Sequence, residues 1–164
     1  MRKVDLVGEG FDLAIRAGEL ANDDLIAKKL GHGEAGLYAS PRFLEKRGPL
    51  NDLSDLNKID FVILSFGQNQ GSTVSLQGPQ GVEQVSVRPR VLCDHYPVAV
   101  RAVADGVGIG ILPDMLCQAE VASGQLVRVL PSYSIPGKPI YLVYPRSRYV
   151  PRRVLAFRDA ILAR

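Results

Sequence analysis

The chain is 164 residues long, 46% hydrophobic and 23% charged, with a formal net charge of +3. These proportions suit an ordinary globular protein, one domain or two small lobes, and exclude a disordered chain. No apolar run reaches the ~18 residues of a membrane helix, no apolar signal-peptide core follows Met1-Arg2-Lys3, and Cys93 and Cys117 have neither disulfide nor metal spacing, so a cytoplasmic protein with reduced thiols and no membrane partner is expected.

Val4, Val7 and Phe11 recur at i, i+3 and i+7, which predicts a short amphipathic helix. Leu13 to Gly18 reads as a half-buried strand opening into the polar loop Glu19 to Asp24, and Leu25 to Ala39 as a second extended stretch broken by Gly31, Gly33 and Gly36. Ser40-Pro41 starts a helix, with Ser40 as N-cap and Pro41 in the first helical position, where its missing N–H costs nothing. This helix stops at Gly48. After the polar connector Asn51 to Asp60, Phe61 to Phe66 is the most apolar strand of the chain. A polar turn, Gly67 to Ser72, leads into short strands between Thr73 and Cys93, joined at Gly78-Pro79-Gln80-Gly81.

A helix is expected over 97–105, a strand from Val107 to Leu112, and a helix from Asp114 to Ala122 closed by Ser123-Gly124. Strands at Leu126 to Leu130 and Lys138 to Tyr144 follow, and Pro151 opens a last helix. Six arginines fall in the final nineteen residues. They lie largely off the stripe Val154, Phe157 and Ile161, as the solvated side of an amphipathic helix rather than a nucleic-acid surface. Helices alternating with single strands predict an α/β fold with a mainly parallel sheet, mixed because of the middle hairpins.

The segment Gly106-Val107-Gly108-Ile109-Gly110-Ile111-Leu112-Pro113 resembles a dinucleotide loop only in its glycines. A pyrophosphate loop runs from strand to helix, so that a helix N-terminus faces the ligand. Here the order is helix to strand, and position 111 is not glycine. Gly106 reads instead as the C′ residue of the preceding helix.

Taken together, these segments resemble the effector-binding half of LysR-type transcriptional regulators. The resemblance rests on Val4 to Gly18, on Leu37-Tyr38-Ala39-Ser40-Pro41-Arg42-Phe43-Leu44, on Gly106 to Pro113, on Gly124 to Pro131 and on Val154 to Phe157, in that order over almost the whole chain. It implies a fold like the type II periplasmic binding proteins: two α/β lobes joined by two crossing strands, with a small effector in the cleft. The crossings would fall near Lys29 to Gly33 and Pro131 to Pro139. Residues 1–30 and 136–164 would form the first lobe and 31–135 the second. Family members begin with a winged helix-turn-helix, a linker helix and further first-lobe strands, which have no counterpart here; the first lobe is expected to be incomplete and DNA to be read only through that absent domain. An exposed sheet edge or apolar face would follow, and with it self-association into a homo-oligomer.

The candidate effector contacts are Arg16 and Gly18 at the end of the first-lobe strand, Ser65 and Phe66 at the end of the apolar strand, and Asp94, His95 and Tyr96 before the helix near Pro97. Free N–H groups at that helix start, with Arg16, would suit an organic anion. Against this stands a purely structural role, with Arg16 paired to a surface carboxylate and Asp94 capping the helix. Cys93 and His95 do not make a catalytic pair, because nothing supplies an orienting third group, and neither HExxH nor GxSxG occurs. No enzyme activity, metal or cofactor is expected. The alternatives to an effector-sensing domain are a ligand-free dimerisation module and a solute-binding protein of the same fold.

Overall fold

Strand and helix formation follow the local chemistry closely. The computed structural model describes residues 6, 8–18, 25–64, 72–146 and 150–163. In chain order the elements are β1 (Ala14–Ala17), β2 (Leu25–His32), β3 (Ala35–Ala39), α1 (Pro41–Arg47), a 3-10 turn (Leu53–Lys58), β4 (Asp60–Leu64), β5 (Thr73–Gly78), β6 (Gly81–Ser86) and β7 (Arg88–Cys93). Then come α2 (Tyr96–Ala104), β8 (Ile109–Pro113), a 3-10 turn (Asp114–Leu116), α3 (Gln118–Ala122), β9 (Val127–Ile135), β10 (Pro139–Pro145) and α4 (Arg152–Leu162). Most of the expected opening helix lies outside the described residues, and 8–10 form a turn.

The chain divides into two compact units, one of Met1–Gly33 with Gly137–Arg164 and one of Glu34–Pro136. In the first, β10 is the middle of a three-stranded sheet and pairs antiparallel with β1 and β2. Its core is small: Leu6, Leu25 and Val143, with Ala14 and Tyr141 against them. On α4 only Val154 is buried, while Phe157 of the expected stripe is 49% exposed. Arg153 forks onto Asp12 with contacts of 3.0 and 3.1 Å, and Arg158 pairs with Asp159 at 2.7 Å, so this part of the arginine face is an ion-paired, solvated surface.

The second unit holds a seven-stranded sheet in the order β6-β5-β9-β3-β8-β4-β7. It is mixed, but the expected parallel majority is not found. β4 runs parallel to its neighbours β7 and β8, whereas every pairing outward from β8 through β3, β9 and β5 to β6 is antiparallel. A helix between two strands forces a parallel pair only when those strands become neighbours. The chain places β8 between β3 and β4, and the short turn at 79–80 makes β5 and β6 a hairpin.

Alternation along the central strands supplies a core on each face of this sheet. Leu37, Ala39, Phe61 and Ile109 point one way, into a cluster with Leu56, Leu76 and Val85. Tyr38, Val62 and Leu112 point the other way, against Ala99, Val100 and Val103 of α2 and Cys117. The connector read as merely polar carries core residues, because Asp52 and Asp55 cap a 3-10 turn that drives Leu56 and Ile59 inward. β9 runs past Pro131, where the sequence suggested an end, by way of an irregularity: its register to β3 jumps between Val129 and Ser134, with Leu130 at φ 46°.

The glycine segment performs the helix-to-strand joint expected of it. Gly106 (φ 80°) donates to the Val103 carbonyl at 3.0 Å and Val107 donates to that of Ala102 at 3.1 Å, the paired bonds of a Schellman cap. Gly108 and Gly110 then let β8 lie close to the β4 backbone and under Val103.

Candidate functional site

β4 is a topological switch point. From β4 the chain builds β7 on one side, and the crossover through α2 then returns to β8 on the other. Connections that depart in opposite directions leave a crevice beyond the carboxyl ends of the strands, where ligands collect in open α/β sheets. A cavity of about 600 Å³ lies there. Its walls are Phe61, Val62, Ile63 and Leu64 of β4, Ile111 and Pro113 of β8, Ala35 and Ile135 at the adjoining ends of β3 and β9, Thr73, Val74 and Ser75 of β5, and Tyr96 at the start of α2. The size is that of a small-molecule site, with apolar walls and a few hydroxyls to orient a ligand.

Among the residues singled out from sequence, Tyr96 lines this cavity. Asp94 and His95 stand exposed on the turn leading to it. Ser65 and Phe66 lie outside the described residues. Arg16 and Gly18 belong to the other unit: Arg16 is half-buried on β1 opposite Tyr141, and Gly18 is buried at φ 103° with its N–H on the Pro139 carbonyl at 2.9 Å.

The first turn of α2 begins with Tyr96 and Pro97. Its cap residue is His95, which makes no side-chain capping bond, so Asp94 is not the cap. Pro97 has no N–H, and Val98 and Ala99 both donate to the His95 carbonyl at 3.1 Å. Position 97 therefore offers no donor, and the N–H groups of Val98 and Ala99 are engaged within the turn. Cys93 places its sulfur 4.0 Å from the Ile63 carbonyl, packed on β4 as a small filler. No metal-holding group of three His, Cys, Asp or Glu side chains occurs among the described residues.

Sequence reasoning missed the contributions of Thr73, Ser75, Ile111 and Pro113, and a polar brace. Tyr38 donates its hydroxyl to Asp114 Oδ1 at 3.0 Å, while Arg128 holds Asp114 Oδ2 at 2.9 Å. Burial first, and then the bond to Asp114, push the Tyr38 phenol up to about 12. The brace fastens β3, the end of β8 and β9 together.

A family model described as LysR substrate binding domain matches residues 2–164. The HTH-type transcriptional regulator PtxR of Pseudomonas aeruginosa is 34% identical over 160 residues, which is 96% of this chain and 50% of that protein. The chain therefore spans about half the length of the curated relatives it matches. Among solved structures, the regulatory domain of AphB from Vibrio vulnificus superposes with a TM-score of 0.82 at 26% identity, covering 98% of this chain and 78% of that one. Full-length AphB of Vibrio cholerae, described as a virulence activator of the LTTR family, gives 0.83 at 25% identity over 99% of this chain and 55% of that one. These relatives are transcriptional regulators, and no helix among the described residues is long and apolar enough to cross a membrane. With a mixed α/β architecture that matches LysR regulatory domains and a family match over nearly its whole length, this chain belongs to the LysR substrate-binding domain family.

Proposed function

We propose that this chain is the ligand-sensing part of a cytoplasmic, non-enzymatic transcription regulator and that a small effector binds in the cavity beyond β4. The observation that carries the reading is the position of that cavity at the switch point of a sheet belonging to a sensor family. The two units correspond to the two lobes of such a sensor. An effector that favours one arrangement of the lobes shifts their population, and a DNA-binding domain elsewhere in the regulator reads the shift. Arg16, Gly18, Asp94 and His95 are the further contacts in this proposal. Homo-oligomerisation is part of it too, supported by the edge position of β1, where Ile15 is 54% exposed, and by Phe11, which is 50% exposed.

Thermal-shift screening against carboxylates, amino acids and uncharged aromatic compounds tests the effector site. A true ligand at 100 times its Kd adds about 2.7 kcal/mol to stability, and Arg16→Ala or Asp94→Ala should reduce the shift. Silence across every class, with both variants unchanged, removes the sensing role in favour of a structural module. A clean monomer by light scattering at high concentration refutes the self-association.

A further inference from the structure

The chemistry of the cavity narrows the effector itself, an inference that rests on the sensing role proposed above. No charged residue lines it among the described residues; the lining residues with polar side chains are Thr73, Ser75 and Tyr96. The sequence reinforces this, because no Asp, Glu, Lys, Arg or His occurs from Phe61 to Val82, the stretch that contributes β4, β5 and the connection between them. A carboxylate or phosphate entering the cavity would give up its water and find no cation among the described wall residues to answer it. A neutral ring or short alkyl group would instead bury itself against apolar wall residues such as Ile63 and Ile111, and a hydroxyl or amide on it would be matched by Thr73 or Ser75.

We infer that the cavity beyond β4 takes an uncharged aromatic or short aliphatic compound bearing a hydroxyl or amide.

The test uses matched probes, benzoate against benzamide and benzyl alcohol, and 1-naphthoate against 1-naphthamide, titrated into the whole chain and followed by two-dimensional NMR at millimolar sensitivity. The amide or alcohol should bind at least tenfold more tightly than its carboxylate and should shift the resonances of Val74 and Ile111. Ser75→Phe, which fills the cavity from an exposed strand position, should weaken binding at least tenfold. Ser75→Lys, which adds a cation at the same place, should narrow or reverse the preference. The amide spectra of both variants report whether they are folded. Tighter binding of the carboxylates, lost in Ser75→Phe, overturns the uncharged class while leaving the cavity as the effector site. Failure of every probe to bind, or neutral-probe binding that survives Ser75→Phe, removes the cavity as the effector site and the ligand class with it.

Discussion

Replacing Gly110 by alanine tests the joint between α2 and β8 most directly. A Cβ built at Gly110 would lie 2.6 Å from Val103 Cγ2 and 3.2 Å from Leu112 Cγ, about 1 Å inside ordinary carbon contact for the first. Val103 and Leu112 are fully buried. Val103 is β-branched and helical, so it has essentially one comfortable rotamer and cannot swing aside. The helix must lift or a side chain must strain, at a cost of about 1–3 kcal/mol. Loss of glycine's freedom in the unfolded chain offsets about 0.4–1 kcal/mol. The expected net loss is roughly 1–2 kcal/mol, read as a lower urea midpoint by far-ultraviolet circular dichroism, since the chain has no tryptophan. Val103→Ala alone should also destabilise by leaving a void, but in the double variant the new methyl occupies it. The two changes should then couple favourably by about 1 kcal/mol or more, outside the ~0.5 kcal/mol within which independent sites add. A Gly110→Ala midpoint equal to that of the wild type, or an additive double variant, would refute the close-approach reasoning.

Gly108→Ala should be worse and should not be rescuable, because its Cβ runs into the Asp60 carbonyl, with the Asp60 carbonyl carbon at 2.8 Å; little folded protein is expected on a gel-filtration column. Ser40→Ala removes the acceptor for the Phe43 N–H, a 3.3 Å bond at a residue only 2% exposed, and should cost about 1 kcal/mol in urea unfolding. Tyr38 and Cys117 are neutral when protonated, and burial is the main cause that lifts each to about 12, from 10.0 and 9.0 respectively. The folded chain therefore keeps protons that the unfolded chain releases. Their contribution is complete below pH 9 and is lost as pH rises towards 12. Tyr38→Phe and Cys117→Ala should each flatten the fall of the urea midpoint over that window. An unchanged slope would count against the buried, neutral assignment.

The fold was legible wherever a local signal had a local cause. Ser40-Pro41 announced α1, because a cap and a proline act within one turn, and Gly106 announced the end of α2 for the same reason. The joint was readable from polarity alone: helix before glycines before strand cannot cradle a phosphate on a helix N-terminus. Sheet direction was not legible, since it depends on which strands become neighbours, and the insertion of β8 between β3 and β4 leaves no trace in the order of elements. The 3-10 turn at Leu53–Lys58 was hidden by its polar surface. Yet Leu53, Leu56 and Ile59 recur every third residue, the period of a 3-10 turn, and Leu56 and Ile59 are buried.

The candidate site was half legible for a related reason. Tyr96 was singled out because it stands before the helix near Pro97, and it lines the cavity. Proline at 97 withholds one donor, and the bonds of Val98 and Ala99 to His95 close the turn in on itself. Tyr96 reaches the cavity because its helix starts where the ends of β4 and β8 meet. A site of this kind is assembled by topology, so single motifs point to it poorly. Composition could have pointed better. The absence of every charged residue from Phe61 to Val82 spans a connection where polar, charged surface would ordinarily be found, and β4 alone, five residues long, does not require it. The two ends of that charge-free stretch, 61–64 of β4 and 73–75 of β5, both line one cavity, so residues that fail to look like a motif come together only through the topology.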